Sequence, residues 1–144
     1  MAGLFVVGSF GAGLAGEINE TDGLAIEGYD PVAYFSEHKP VQGPAAFTAS
    51  QDGVTYRFAS AAHRDQFLAN PAAYLPQYGG FCAYATAKGY KADADPTAFS
   101  VVSGKLYLNY NADIQAEWSK DPVGYITNGD RSWSTVSKLT DIVR

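Results

Sequence analysis

Apolar and polar positions alternate most plainly at two places in the chain. Phe47 and Ala49 lead into Gln51-Asp52-Gly53, and Val54, Tyr56 and Phe58 follow with Thr55 and Arg57 between them. A period of two on both sides of a Gly-bearing turn predicts a strand, a turn and a half-buried strand. The second place is "FSVVSGKLYLNYN". A two-residue Ser103-Gly104 turn there pairs Val101 with Leu106 and Phe99 with Leu108, so four apolar residues share one face of a hairpin. A slip of one residue would turn all four over, so the register is self-consistent.

Between and after the hairpins the period lengthens. Ser60 can cap a helix over "AAHRDQFLAN", which Pro71 stops. His63 and Phe67 are four apart on it and share a face that points inward. A second helix is expected to begin near Phe81 and to end at Gly89, a left-handed C-terminal stop. "ADIQAEWSKDPVGYITNGDRSW" reads as two helical pieces broken near Asp121-Pro122, with Ile114 and Trp118 on one face of the first. "GYDPVAYF" has turn chemistry in Gly28, Asp30 and Pro31 among aromatic residues, and "EHKPVQGP" reads as a surface loop. The chain is therefore expected to be α+β: a small single domain of short antiparallel β-hairpins packed with helices, followed by a C-terminal helical extension.

The first residues stand apart. "MAGLFVVGSFGAGLAGE" carries no charge before Glu17, and Ala2 to Gly16 is apolar and glycine-rich. That is the length of the apolar region of an export signal, and "GLAG" offers small residues for cleavage, although no Lys or Arg precedes it. It is too short for a bilayer-spanning helix, which takes about 20 residues. Two readings stand: a signal remnant, which places the protein in the periplasm or outside the cell, or a retained apolar arm, which leaves it cytoplasmic. With the polar break "EINETDG" this divides the chain into a leader or arm with its linker over 1–23 and the domain over 24–144.

Composition narrows the function classes. The 144 residues carry a net charge of −5, with ten tyrosines and eight phenylalanines. An acidic chain repels phosphate backbones, so nucleic acid is not an expected partner. The rings suit a core or a binding surface. The one cysteine, Cys82, cannot form an intrachain disulfide.

Cys82 lies in "QYGGFCAYATAKG", where Gly79 and Gly80 permit a sharp turn into its helix. Free N–H groups and the dipole of a first helical turn favour a thiolate, with higher reactivity and metal affinity. Burial among Tyr78, Phe81 and Tyr84 favours the neutral thiol instead, acting as a small hydrophobe. His63 is either a hydrogen-bonded core residue or a ligand, and His38, between Glu37 and Lys39, reads as a solvated surface residue. Zinc asks for four ligands, and one Cys with two His offers neither a CxxC nor an HxxxH pair. Asp65, Asp93 and Asp95 are scattered and read as solvated faces. "GSFGAG" lacks the Lys-Ser/Thr of a phosphate loop. Cys82 and His63 could also pair as nucleophile and base, but no orienting third group stands out.

Taken together, "GYDPVAYF", "YRFASAAHRDQFLANPAAYLPQYGGFCAYA" and "GKLYLNYN" resemble the YHS-domain family, in particular its stand-alone bacterial branch of YHS domain-containing (seleno)proteins. The likeness covers roughly residues 26–133. Tyr56, Ser60 and His63 look like the name-giving residues, and Gly79, Gly80 and Cys82 complete the motif. The resemblance implies a treble-clef-like, metal-associated module. Metal-associated members carry a Cys after "DPV" and two more in a "FCS-x-x-C" run. Here Ala33 follows "DPV", while Ala59 and His63 stand at the positions of that run. Some relatives carry selenocysteine where this chain has Cys82, which implies a functional sulfur, and branch members typically carry export signals. The expectation is an exported protein that captures a soft metal ion such as Cu(I) through Cys82 and His63. Its rivals are an accessory protein that binds a protein partner around a packed Cys82, and a thiol-redox protein.

Overall fold

The computed structural model describes residues 17–144. Its elements, in chain order, are β1 (Glu20–Thr21), β2 (Leu24–Ala25), α1 (Ala33–Ser36), β3 (Thr48–Gln51) and β4 (Val54–Arg57), then α2 (Ala61–Ala69), α3 (Ala83–Lys88), β5 (Asp95–Val102), β6 (Lys105–Asn109), α4 (Ala112–Trp118) and α5 (Pro122–Val136). Short helices and two small sheets make it α+β, as the sequence pattern requires. No helix among the described residues is long and apolar enough to cross a membrane. The apolar stretch from Ala2 to Gly16 lies outside the described residues.

Both anticipated hairpins form. Asp52 and Gly53 take left-handed φ values of 55° and 84°, the two-residue turn that matches strand twist, and Ala49 pairs with Tyr56. In β5–β6 Val101 faces Leu106 and Phe99 faces Leu108. The polar segment "EINETDG" behaves differently from its reading as a break. Asp22-Gly23 closes a third, very short hairpin between β1 and β2, and β2 runs parallel to β4, giving the strand order β1-β2-β4-β3. Alternation cannot show in strands of two residues, but the Asp-Gly pair is itself the hairpin signal.

The helices are bounded by side chains that satisfy their first N–H groups. Ser60 Oγ accepts from His63 N, Asn111 Oδ1 from Ile114 N and Asp121 Oδ1 from Gly124 N. Pro122 occupies the first turn of α5, where a missing N–H costs nothing. At the other end of α5, Lys91 is sealed from solvent with its Nζ 2.9 Å from the carbonyl oxygens of both Ser137 and Leu139. A cation there complements the negative end of the helix dipole.

The main core gathers Tyr56 and Phe58 of β4, Phe67 of α2, Tyr34 of α1, and Leu106 and Leu108 of β6. Tyr56 and Phe58 each set their ring against Phe67, at 5.3 and 5.1 Å between centroids. A second cluster joins Tyr78, Tyr107 and Trp118 with Trp133 on α5. The third is the small group around Cys82, namely Ala85 and Ala92 with Tyr84, Tyr110 and Ile114 against it.

Candidate functional site

The glycine pair before Cys82 does what its sequence suggests. Tyr78, Gly79 and Gly80 all have positive φ (58°, 63° and 84°), so the chain reverses sharply before Phe81. At Gly79 a Cβ would collide with the carbonyl oxygen of Glu17, while the glycine's own carbonyl accepts from Asn19 N at 2.8 Å. The turn thus clamps the N-terminal end of the described chain and delivers Cys82 to the start of α3.

Cys82 is the N-cap of α3 rather than a residue of its first turn. Sγ accepts from Ala85 N at 3.5 Å and donates to Asn109 Oδ1 at 3.5 Å. Asn109 Oδ1 also accepts from Tyr84 N at 3.0 Å. The backbone is fixed on both sides: Cys82 N donates to Ala92 O, and Cys82 O accepts from Thr86 N and Thr86 Oγ1, all at 3.0 Å. The residue is 1% exposed. Burial pushes the thiol pKa up, and the N–H groups of Ala85, Tyr110 and Tyr84 only partly offset it. Of the two opposing effects seen in the sequence, desolvation wins, and the group is a neutral thiol.

His63 has partners of its own, organised by Asp30, which in the sequence stands only as part of a turn. Asp30 is fully buried. Its Oδ1 accepts from Val32 N at 2.8 Å and from Ala33 N at 3.3 Å. Its Oδ2 accepts from Ala59 N at 2.8 Å and from His63 Nδ1 at 2.6 Å. One carboxylate therefore ties together the start of α1, the end of β4 and the first turn of α2. Four donors meet its four lone-pair directions, which is how a buried charge becomes tolerable. Because a carboxylate only accepts, Nδ1 carries the imidazole proton and Nε2 of the neutral ring holds a lone pair. Nε2 looks outward, 3.3 Å from Ser36 Oγ and 3.8 Å from Glu37 Oε2, and the His63 side chain is 14% exposed.

The remaining motif residues have structural posts. Tyr56 is buried in β4, and burial drives its phenol pKa upward. Ser60 caps α2. Among the described residues Cys82 and His63 have no hydrogen-bond or ion-pair partner in common. Two open clefts line other surfaces: one of about 440 Å³ between Tyr78, Lys105, Asp130 and Trp133, and one of about 430 Å³ between Glu27, Asp93, Asp95 and Arg144. Neither Cys82 nor His63 lines them. Among the described residues no three His, Cys, Asp or Glu side chains converge as a metal site.

The role of Asp30 had a signal in the sequence. An aspartate followed by Pro and then two further residues is placed to accept from the N–H groups two and three positions on. Its long-range bonds to Ala59 and His63, 29 and 33 residues away, had no local signal. Comparisons with protein families, with curated proteins and with solved structures found no match to this chain.

Proposed function

We propose that this chain is a YHS-type accessory module that acts by binding through the corner around His63, and that Cys82 is a packed structural thiol. The observation that carries the reading is the convergence on Asp30. Ala33, Ala59 and His63, the three positions at which the resemblance expects metal-binding thiols, all donate to this one carboxylate. The corner is retained as a place, while its chemistry has changed from sulfur to a single imidazole.

The ligand we propose there is a metal ion as exchangeable cargo. A carboxylate behind Nδ1 that leaves Nε2 facing outward, beside the Ser36 hydroxyl, is the arrangement that orients ligating histidines, and imidazole suits copper and zinc. One imidazole with the half-exposed Glu37 carboxylate does not make a closed site for a resident cofactor, since stable zinc sites take four donors. Further donors would come from outside the chain. Export follows, within the same proposal, from the apolar stretch before Glu17.

The test is a competition titration with Cu(I) and Zn(II) on the wild type, His63→Gln and Cys82→Ser. Uptake lost in the His63 variant and kept in the Cys82 variant supports the reading. Uptake that depends on Cys82, or none at all in the wild type, sinks it. In the latter case the sealed thiol favours the second reading, an accessory protein whose outer surface meets a protein partner.

A further inference from the structure

Three side chains at the His63 corner stand in a line that binding does not require. Ser36 Oγ lies 3.3 Å from His63 Nε2, and His63 Nδ1 lies 2.6 Å from Asp30 Oδ2. We propose that Ser36 is an activated nucleophile, with His63 as its general base and Asp30 as the positioning residue, and that it takes small activated acyl esters. The inference goes beyond the binding reading and stands without it, because no metal or partner enters the step.

Each member meets the demand of its role. A serine nucleophile needs a base within hydrogen-bond reach, a distance that runs somewhat long without substrate, and a third group orienting the base. Asp30 supplies that group in the form such chains need: buried, ionic and locked by the N–H groups of Val32, Ala33 and Ala59. It sets the tautomer that leaves Nε2 able to accept the hydroxyl proton. Ser36 closes α1 and is exposed to solvent; its single hydroxyl proton has two acceptors at 3.3 Å, Val32 O and His63 Nε2, and the reactive rotamer is the one that gives it to Nε2. The Glu37 carboxylate, 3.8 Å from Nε2, also favours the imidazolium formed during the reaction.

The step balances. Ser36 Oγ bonds to the ester carbonyl carbon as its proton passes to Nε2. The tetrahedral adduct then expels the alkoxide, which takes the proton back from Nε2. An acyl-serine and an alcohol result, and water reverses the sequence to release the acid. Neither of the two wide clefts reaches Ser36, and the substrates proposed are small esters with reactive leaving groups. General-base assistance alone sets the scale, about 10²–10⁴-fold over an unassisted hydroxyl.

The experiment treats the full chain with p-nitrophenyl acetate and, separately, with a fluorophosphonate. It maps adducts by peptide mass spectrometry and follows labelling rates. The expected result is one adduct on Ser36, none in Ser36→Ala, and labelling at least about 10²-fold slower in His63→Gln. Free imidazole should restore part of the rate in His63→Ala, which a purely structural role for the ring would not allow. Adducts only on Tyr or Lys, or Ser36 labelled as fast in His63→Gln as in the wild type, overturns the proposal. The wild-type adduct decides the matter even where a His63 variant folds poorly. Metal uptake plays no part in this readout, so failure here is separable from failure of the binding reading.

Discussion

Asp30→Asn is the sharpest perturbation of this molecule, because the substitution keeps the shape and changes only the hydrogen-bond arithmetic. The aspartate receives four donors, two at each oxygen. An amide accepts at one oxygen only, and its NH₂ must face the other two donors. With the oxygen turned to Val32 and Ala33, the NH₂ meets Ala59 N–H and the His63 ring. The ring has an answer: it can move its proton to Nε2 and accept at Nδ1. Ala59 N–H has none, and a stranded buried donor costs about 1–3 kcal/mol. The bonds that remain lose their ionic partner, which removes about 0.5–1 kcal/mol from each. The sum is about 2.5–6 kcal/mol, or roughly 5–24 °C in melting temperature for a chain of this size. Urea unfolding measures the first part. Nitrogen-15 spectra of the imidazole measure the second, since the proton should pass from Nδ1 to Nε2. The variant should then lose both metal uptake and Ser36 reactivity, because Nε2 no longer offers a lone pair. A stability loss below about 1 kcal/mol, or a ring that keeps its Nδ1 proton, would refute the reasoning.

Three further outcomes follow from the same contacts. Cys82→Ala removes the α3 cap and leaves the sulfur volume empty, at a cost of about 2 kcal/mol, whereas Cys82→Ser keeps both hydrogen-bond roles and should cost about half that in urea unfolding. An alanine variant more stable than the serine one would mean that Sγ acts as plain hydrophobe. The raised Cys82 pKa carries a sign: above the ordinary thiol value of ~8.5 the unfolded chain releases a proton that the folded chain retains, so stability declines as pH rises through that value. Wild type should therefore lose more stability than Cys82→Ser between pH 8 and 10, and parallel losses would contradict the assignment. Gly79→Ala combines a left-handed φ with a collision against the Glu17 carbonyl, so it should loosen the N-terminal clamp, read as faster amide exchange at Asn19, whose N–H the Gly79 carbonyl holds. Unchanged exchange at Asn19 would show that the clamp does not depend on this contact.

Much of the fold is visible in the sequence because it is decided locally. The Ser103-Gly104 turn fixes its register within a dozen residues. Ser60, Asn111 and Asp121 each bond to an N–H three positions on, and such spacing is legible in a string of letters. What escapes is decided at a distance or in too few residues. Helix α1 has four residues, fewer than any periodicity needs. The Cys82–Asn109 bond spans 27 residues and the Asp30–His63 bond spans 33. The sequence singles out Cys82 and His63 as unusual residue types and suggests one shared site. Type says nothing of neighbourhood, and each proves to have its own set of partners.

The resemblance that makes Cys82 look chemical and the structure that seals it can be brought together through Asn109. A thiol with no polar neighbours would be a hydrophobe, and any small apolar residue would serve. This thiol instead sits between an N–H donor and an amide oxygen, in a wall of alanines and tyrosines. Sulfur suits that position for physical reasons alone. It is large enough to fill the gap, weak enough as a donor that burial is inexpensive, and still able to cap α3. Selenium at the same place would keep the size and the capping geometry while ionising far more readily. The same pocket would then hold a charged atom against the N–H groups of Ala85, Tyr84 and Tyr110, which already pull the thiol toward its anion. In this chain desolvation prevails over those three groups. In the proposed reading the chemistry therefore passes to Ser36 Oγ and His63 Nε2 beside Asp30.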